Sequence, residues 1–127
     1  IEVLGVTRID HGVRCSEDPE LVSELAARRM PLTVCPLSNT KLKVFETMQQ
    51  HNIIELLRNG LCVTINSDDP AYFGGYMNDN FLAVAHAHDV TQQEIAQLSI
   101  NAIEASFISP HAKEDMITQV RHYLANH

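Results

Sequence analysis

The sequence predicts an α/β fold built on parallel strands, and two observations predict it. Short β-branched runs alternate with segments whose apolar residues recur at helical spacing, the pattern of successive βα units. Each expected strand also ends in a polar cluster, Asp10-His11, Ser38-Asn39 and Asn66-Ser67-Asp68-Asp69, whereas the connections leading into the strands are plain. In (β/α) barrels and open α/β sheets, ligands sit at the carboxyl ends of strands, so the three clusters are expected to face one pocket.

Val6-Thr7-Arg8-Ile9 is the first expected strand, ending at Asp10-His11-Gly12. Ser16-Glu17-Asp18-Pro19 opens a helix: proline suits a first turn, acidic side chains favour the positive end of the dipole, and Leu21, Val22 and Leu25 supply the apolar spacing. That helix is expected to stop near Met30-Pro31. Leu32 to Cys35 is the second strand, ending at Pro36-Leu37-Ser38-Asn39, and a loop with a basic patch, Lys41 and Lys43, follows. A short helix carries Ile53, Ile54, Leu56 and Leu57 and closes on Asn59-Gly60 as a left-handed cap. Leu61 to Ile65 is the third strand. Gly74-Gly75 breaks the chain before a helix from about Asn80 to His88. Thr91-Gln92-Gln93-Glu94 has the form of a capping box for a helix with Ile95, Leu98, Ala102 and Ala105 on one face, and a last helix runs from about Pro110 to Leu124.

Composition narrows the function. The chain has 127 residues, 45% hydrophobic and 20% charged, enough for one modest domain with a core. No apolar run approaches the ~20 residues that cross a bilayer, and Ile1 to Gly5 lacks the basic start of a secretory signal, so a cytoplasmic setting is expected. Nine Lys plus Arg against 16 Asp plus Glu give a formal charge of -7, with the basic residues dispersed. That balance argues against nucleic-acid binding and for a small neutral or cationic ligand. Cys15, Cys35 and Cys62 form no CxxC pair and read as buried thiols.

The acidic pair Asp68-Asp69 is the strongest chemical signal. Adjacent carboxylates at the mouth of a buried strand repel each other and are poorly solvated, so they require compensation. A helix N-cap with a solvated neighbour is the bland reading. Its place at a strand end favours a divalent metal, with one carboxylate as ligand and the other free to hydrogen-bond. His11, at a strand end beside Asp10, is a candidate general base or electrostatic partner of a bound hydroxide. Ser38 and Asn39 suit either a turn or a substrate contact. His86 and His88 form an HxH pair, but on a helix residues two apart diverge, so they are not expected to share a metal. His51, His111, His122 and His127 lie in polar or terminal stretches and are expected at the surface.

Arg8-Ile9-Asp10-His11-Gly12, Cys35-Pro36-Leu37-Ser38-Asn39 and Asn66-Ser67-Asp68-Asp69-Pro70, in this order and spacing, resemble the adenosine and adenine deaminase family of metal-dependent hydrolases. The resemblance covers essentially the whole chain. Two details look like the adenine branch: Asp10, where adenosine deaminases usually carry glycine, and the continuation Ala71-Tyr72-Phe73-Gly74-Gly75-Tyr76. The resemblance implies a (β/α)8 TIM barrel with one zinc per subunit and hydrolytic removal of a purine 6-amino group as ammonia, for adenine giving hypoxanthine in purine salvage. By position it makes Asp68 a zinc ligand that also touches the attacking water, and Asp69 a hydrogen-bond partner of the purine N7. It gives His11 the task of orienting the zinc-bound hydroxide and stabilising charge as C6 becomes tetrahedral. Asp10 is expected to fill the space a ribose would need and to accept from a free purine N–H. The H-x-E and P-C-x-x-C signature of zinc deaminases that act on flipped bases is absent.

The family pattern also includes an HxH on the first strand, a further histidine ligand on the fifth and a ring-protonating Glu, none of which has a counterpart here. A full barrel runs to roughly 250 residues. Residues 1–127 are therefore expected to be the C-terminal segment of one barrel domain, about its last three strands with the helices that follow. One carboxylate is a poor holder of a catalytic zinc that normally takes three protein ligands, so the chain alone is expected neither to bind zinc at full strength nor to deaminate. The expected partners are a small-molecule purine and, over the exposed edges, the missing N-terminal portion or a second copy, with no nucleic acid and no membrane. Two other readings remain open: the same chemistry on adenosine or another 6-aminopurine derivative, and a non-catalytic α/β module that binds a purine or a partner protein.

Overall fold

The computed structural model describes residue 1 and residues 3–127. Among the described residues, three parallel strands form one sheet in chain order, β1 (Ile9–Asp10), β2 (Leu32–Val34) and β3 (Val63–Ile65). Ile9 pairs with Leu32, and Leu32 in turn with Val63. Parallel neighbours need crossovers, and each crossover here contains helix. Helix α1 (Pro19–Ala27) joins β1 to β2; α2 (Pro36–Lys41) and α3 (Ile53–Arg58) join β2 to β3. After β3 come α4 (Pro70–Phe73), α5 (Met77–Ala87), α6 (Gln92–Ala105) and α7 (Pro110–Asn126). None of these helices is long and apolar enough to cross a membrane.

The strands are shorter than their β-branched runs suggest. Pro31 precedes β2 and Pro36 opens a helix directly behind it, so the central strand offers only three residues to its neighbours. Val6 to Arg8 therefore lie outside the sheet, and Leu61 and Cys62 outside β3, although both of the latter are buried. Arg8 turns away, its guanidinium 4.6 Å from the centre of the Phe107 ring.

Helix ends follow local chemistry. Asp18 caps α1 by accepting from the N–H groups of Glu20 and Leu21, a bond set worth about 1 kcal/mol. Thr91 and Glu94 form the expected reciprocal box on α6, with Arg58 and the Thr91 backbone holding the Glu94 carboxyl down to about 2. At the C-terminus of α3, Gly60 takes φ +85° and the N–H groups of Leu61 and Gly60 return to Leu56 and Leu57, a Schellman closure. Helices α1 and α2 close in the same way through Arg29 (φ 51°) and Lys43 (φ 60°), with Met30 N–H bonded to Leu25 O and Val44 N–H to Asn39 O. No glycine marks these two stops.

Four expectations are corrected. Pro36 to Asn39 is helix and not turn, because Asn80 of α5 accepts from the Leu37 N–H with its Oδ1 and so satisfies an orphan donor of the first turn. Helix α5 begins at Met77 and not Asn80; Asp79 accepts from Tyr76 N–H at 2.7 Å and starts it earlier, burying Asn80. On α6 the buried face is Leu98, Asn101 and Ala105, with Ala102 exposed. Asn101 donates to Val63 O at 2.8 Å, a side chain to backbone bond that a shift in register would break. His51 is buried and not at the surface: its ring packs tilted against Phe45, centroids 4.5 Å apart, and its Nδ1 accepts from the Ile53 N–H at 3.1 Å. His86 is exposed on α5 and His88 bonds to Met48 O, so the pair diverges as helix geometry requires.

Two measurements check these assignments. Lys43→Gly should be more stable than Lys43→Ala by about 1 kcal/mol in urea denaturation, because only glycine adopts the left-handed cap without cost; equal midpoints would remove the strain. Burial, helped by His88, pulls His51 down to about 4. The unfolded ring protonates near 6.5, so the stability of neutral His51 is complete above that pH and is lost as pH falls towards 4, at up to about 1.4 kcal/mol per pH unit. His51→Gln should show a shallower fall of urea midpoint between pH 6.5 and 4 than the parent protein.

Candidate functional site

Because β1, β2 and β3 run parallel, their carboxyl ends emerge on one side of the sheet. The first residues past the edge strands are still tied to β2: His11 N–H donates to Thr33 O at 3.0 Å and Asn66 N–H to Val34 O at 2.9 Å. The chain then turns sharply. His11 sits at φ 58° and Asp68 at φ 57°, left-handed values costly for residues with a Cβ. Gly12 follows at φ +73°, and a Cβ there would lie 2.9 Å from Leu32 Cδ2, so the turn beneath the site has room for glycine alone.

These turns bring two of the expected residues together. His11 Nε2 lies 3.8 Å from Asp68 Oδ2, with both side chains partly exposed. Helix α2 supplies the support from below. Ser38 Oγ donates to Asp68 Oδ2 at 2.7 Å, and Asn39 Nδ2 lies 3.3 Å from His11 Nδ1; both residues are fully buried. The Ser38 bond orients the carboxylate through Oδ2. Behind Asn39, His51 Nε2 lies 3.0 Å from Asn39 Oδ1.

Asp10 and Asp69 stand apart from that contact. Asp10 Oδ1 accepts from Thr33 Oγ1 at 2.7 Å, which fixes an exposed carboxylate on the edge strand. Asp69 Oδ1 accepts from Tyr72 N–H and caps the single turn of α4. The acidic pair thus divides: one carboxylate is held by serine and faces an imidazole, and its neighbour is an N-cap. Asn66 donates to Thr64 Oγ1 and Val34 O, a brace within the sheet.

The donor chemistry suits a divalent cation held partly from this chain. Ligand atoms of His11, Cys35 and Asp68 lie within 4.8 Å of one another. A carboxylate oxygen is an ordinary zinc donor, whereas His11 Nδ1 already faces the Asn39 amide and its Nε2 faces Asp68, so Asp68 is the ligand candidate of the three. Cys35 is a weaker candidate, because burial, and then the charges of Asp68 and Asp10, push its thiol up to about 12, far from the thiolate that binds metal. Ser38 and Asn39, expected as turn or substrate contact, instead bond to Asp68 and His11 from a helix, and His51 was not legible as a site residue from sequence. The pointer to Asn39 was Pro36 as a first-turn proline, which puts residues 38 and 39 on a helix instead of a loop.

Comparison with known proteins fits this geometry. A family model described as adenosine deaminase matches residues 1–123. Adenine deaminase of Vibrio parahaemolyticus is 60% identical over 127 residues, which is 100% of this chain and 38% of that protein. Adenine deaminase of Hahella chejuensis is 53% identical with the same coverage. The crystal structure of adenine deaminase from Arthrobacter aurescens superposes with a TM-score of 0.94 at 44% identity, covering 98% of this chain and 38% of that one. A structure of an amidohydrolase with bound Zn, 21% identical with a TM-score of 0.81 over 99% of this chain and 37% of that one, shares the fold. The chain spans about 38% of the length of the curated relatives it matches, and its parallel sheet with connecting helices is a partial barrel. It belongs to the adenosine deaminase family.

Proposed function

We propose that residues 1–127 supply part of the active site of a hydrolytic aminohydrolase that converts adenine and water to hypoxanthine and ammonia. The observation that carries this reading is the convergence of His11 and Asp68 at the carboxyl end of the sheet, with Ser38 fixing the carboxylate, in a chain closely similar to proteins named adenine deaminase. A divalent metal, zinc by family resemblance, supplies Lewis acidity that lowers the pKa of a water towards about 7 when bound. In this proposal Asp68 would hold the metal, and its carboxylate would position the attacking water. His11 Nε2, facing the same point, orients the nucleophile and stabilises the oxygen as C6 of the purine becomes tetrahedral. Asp69 meets the purine N7, and because N7 is an acceptor when the free N–H is on N9, the proton of that bond comes from the Asp69 carboxyl. Asp10, held by Thr33, accepts from the free N–H of the base and occupies space that a ribose would need.

An apolar cavity of about 670 Å³ opens between β1, α1 and the segment after α2, lined by Ile9, Val13, Leu21, Leu25, Leu42 and Val44. The same cavity reaches His11 and Asn39, so whatever fills it also borders the proposed site. This supports a site completed by further barrel strands, or by a second copy, before it acts. A purine salvage role and a cytoplasmic setting belong to the same proposal.

Three outcomes test it. In the full-length protein, Asp68→Asn should lower kcat for adenine by at least about 10³-fold while the protein remains folded by circular dichroism. Asp10→Gly should shift the ratio of kcat/KM for adenine over adenosine towards adenosine, and an unchanged ratio would remove Asp10 from specificity. The isolated 127-residue chain should bind zinc weakly in equilibrium dialysis and show no turnover; stoichiometric tight binding would mean that its own donors suffice.

A further inference from the structure

The structure contains a buried polar chain that runs from a backbone amide to the imidazole facing Asp68. Its first bond is free of ambiguity: the Ile53 N–H donates to His51 Nδ1 at 3.1 Å, and a backbone amide can only donate. His51 Nδ1 therefore carries no proton, and in the neutral ring the proton is on Nε2. His51 is buried and held neutral at assay pH, since burial lowers it to about 4. Nε2–H then donates to Asn39 Oδ1 at 3.0 Å, which settles the orientation of the Asn39 amide. The NH₂ end of that amide meets His11 Nδ1 at 3.3 Å. An amide NH₂ has no lone pair to offer, so Nδ1 of His11 is the acceptor. The proton of a neutral His11 is thereby on Nε2, the nitrogen that lies 3.8 Å from Asp68 Oδ2.

We propose that His51 and Asn39 are positioning residues that hold His11 in the Nε2–H tautomer, so that it presents a hydrogen-bond donor to the oxygen nucleophile beside Asp68. The inference rests on the proposed reading of His11 as the group that meets the reacting centre. The relay rests on geometry alone. A ring of the opposite tautomer would set Nδ1–H against the Asn39 NH₂ and turn a lone pair towards a carboxylate, two repulsive contacts. The left-handed backbone at His11 adds to the need for a side-chain anchor, because the ring projects from a turn and not from the sheet.

The test uses the full-length protein with imidazole nitrogens labelled with ¹⁵N, together with adenine kinetics. In the parent protein His11 should show an unprotonated Nδ1 and a protonated Nε2. Asn39→Asp preserves shape and the bond from His51 but replaces the donor with an acceptor. It should move a proton onto His11 Nδ1 and lower kcat by about 100-fold or more, with KM within about threefold. His51→Leu should lower kcat by about 10- to 100-fold, and His51→Gln, whose amide can both accept from Ile53 and donate to Asn39, should restore most of it. A protonated Nδ1 in the parent protein overturns the proposal. So does retention of the parent tautomer and kcat in folded Asn39→Asp; if His51→Leu does not fold, Asn39→Asp decides alone. Absence of adenine turnover in the parent protein, with the ¹⁵N signature and its response to Asn39→Asp intact, would count against the functional reading while supporting the relay.

Discussion

His11 and Asn66 each donate a backbone N–H to the central strand, at Thr33 O and Val34 O, and the placement of the site depends on those two bonds. In a strand successive side chains point to opposite faces, so a slip of one residue at either edge would turn its side chains to the other side of the sheet. The central strand is only three residues long, bounded by Pro31 and by the helix that Pro36 begins. Its neighbours have no alternative run of partners on which to slide. Asn101 reinforces the third strand from above by bonding to Val63 O, and Leu98 beside it is fully buried.

On that frame, the proposed site is formed by residues that leave the sheet rather than by residues within it. His11 and Asp68 both adopt left-handed backbone, on the order of 1 kcal/mol or more each for residues that are not glycine. The surrounding structure holds them there: Gly12 gives the first turn room over Leu32, and Ser38 draws the Asp68 carboxylate down by a hydrogen bond of 2.7 Å. Helix α2, which carries Ser38 and Asn39, is itself held by Asn80 from α5. The support of a two-residue contact therefore reaches through three segments distant in sequence.

Local signals were legible where one or two neighbouring residues decide the conformation. Asp18 with Pro19, Thr91 with Glu94, and Gly60 each mark a helix end, and each is found where its chemistry places it. The convergence of the strand-end clusters was legible too, because parallel topology alone requires it. What was not legible depends on distant partners. Pro36-Leu37-Ser38-Asn39 has the composition of a turn and becomes helix through an acceptor at Asn80. His51, between Gln50 and Asn52, reads as surface and is buried because Phe45 and Asn39 close over it. Arg29 and Lys43 end helices in a conformation usually marked by glycine, so their stops carry no compositional sign.

Cys35 illustrates how charge arrangement governs reactivity at such a site. Its sulfur lies within 4.8 Å of the donor atoms of His11 and Asp68, a position from which a nucleophilic thiolate could take part in chemistry. With its ionisation pushed up to about 12, roughly one molecule in 10⁵ carries the thiolate at neutral pH. Burial is the first cause of that shift and the charges of Asp68 and Asp10 add to it, so packing and charge together keep the sulfur in its thiol form.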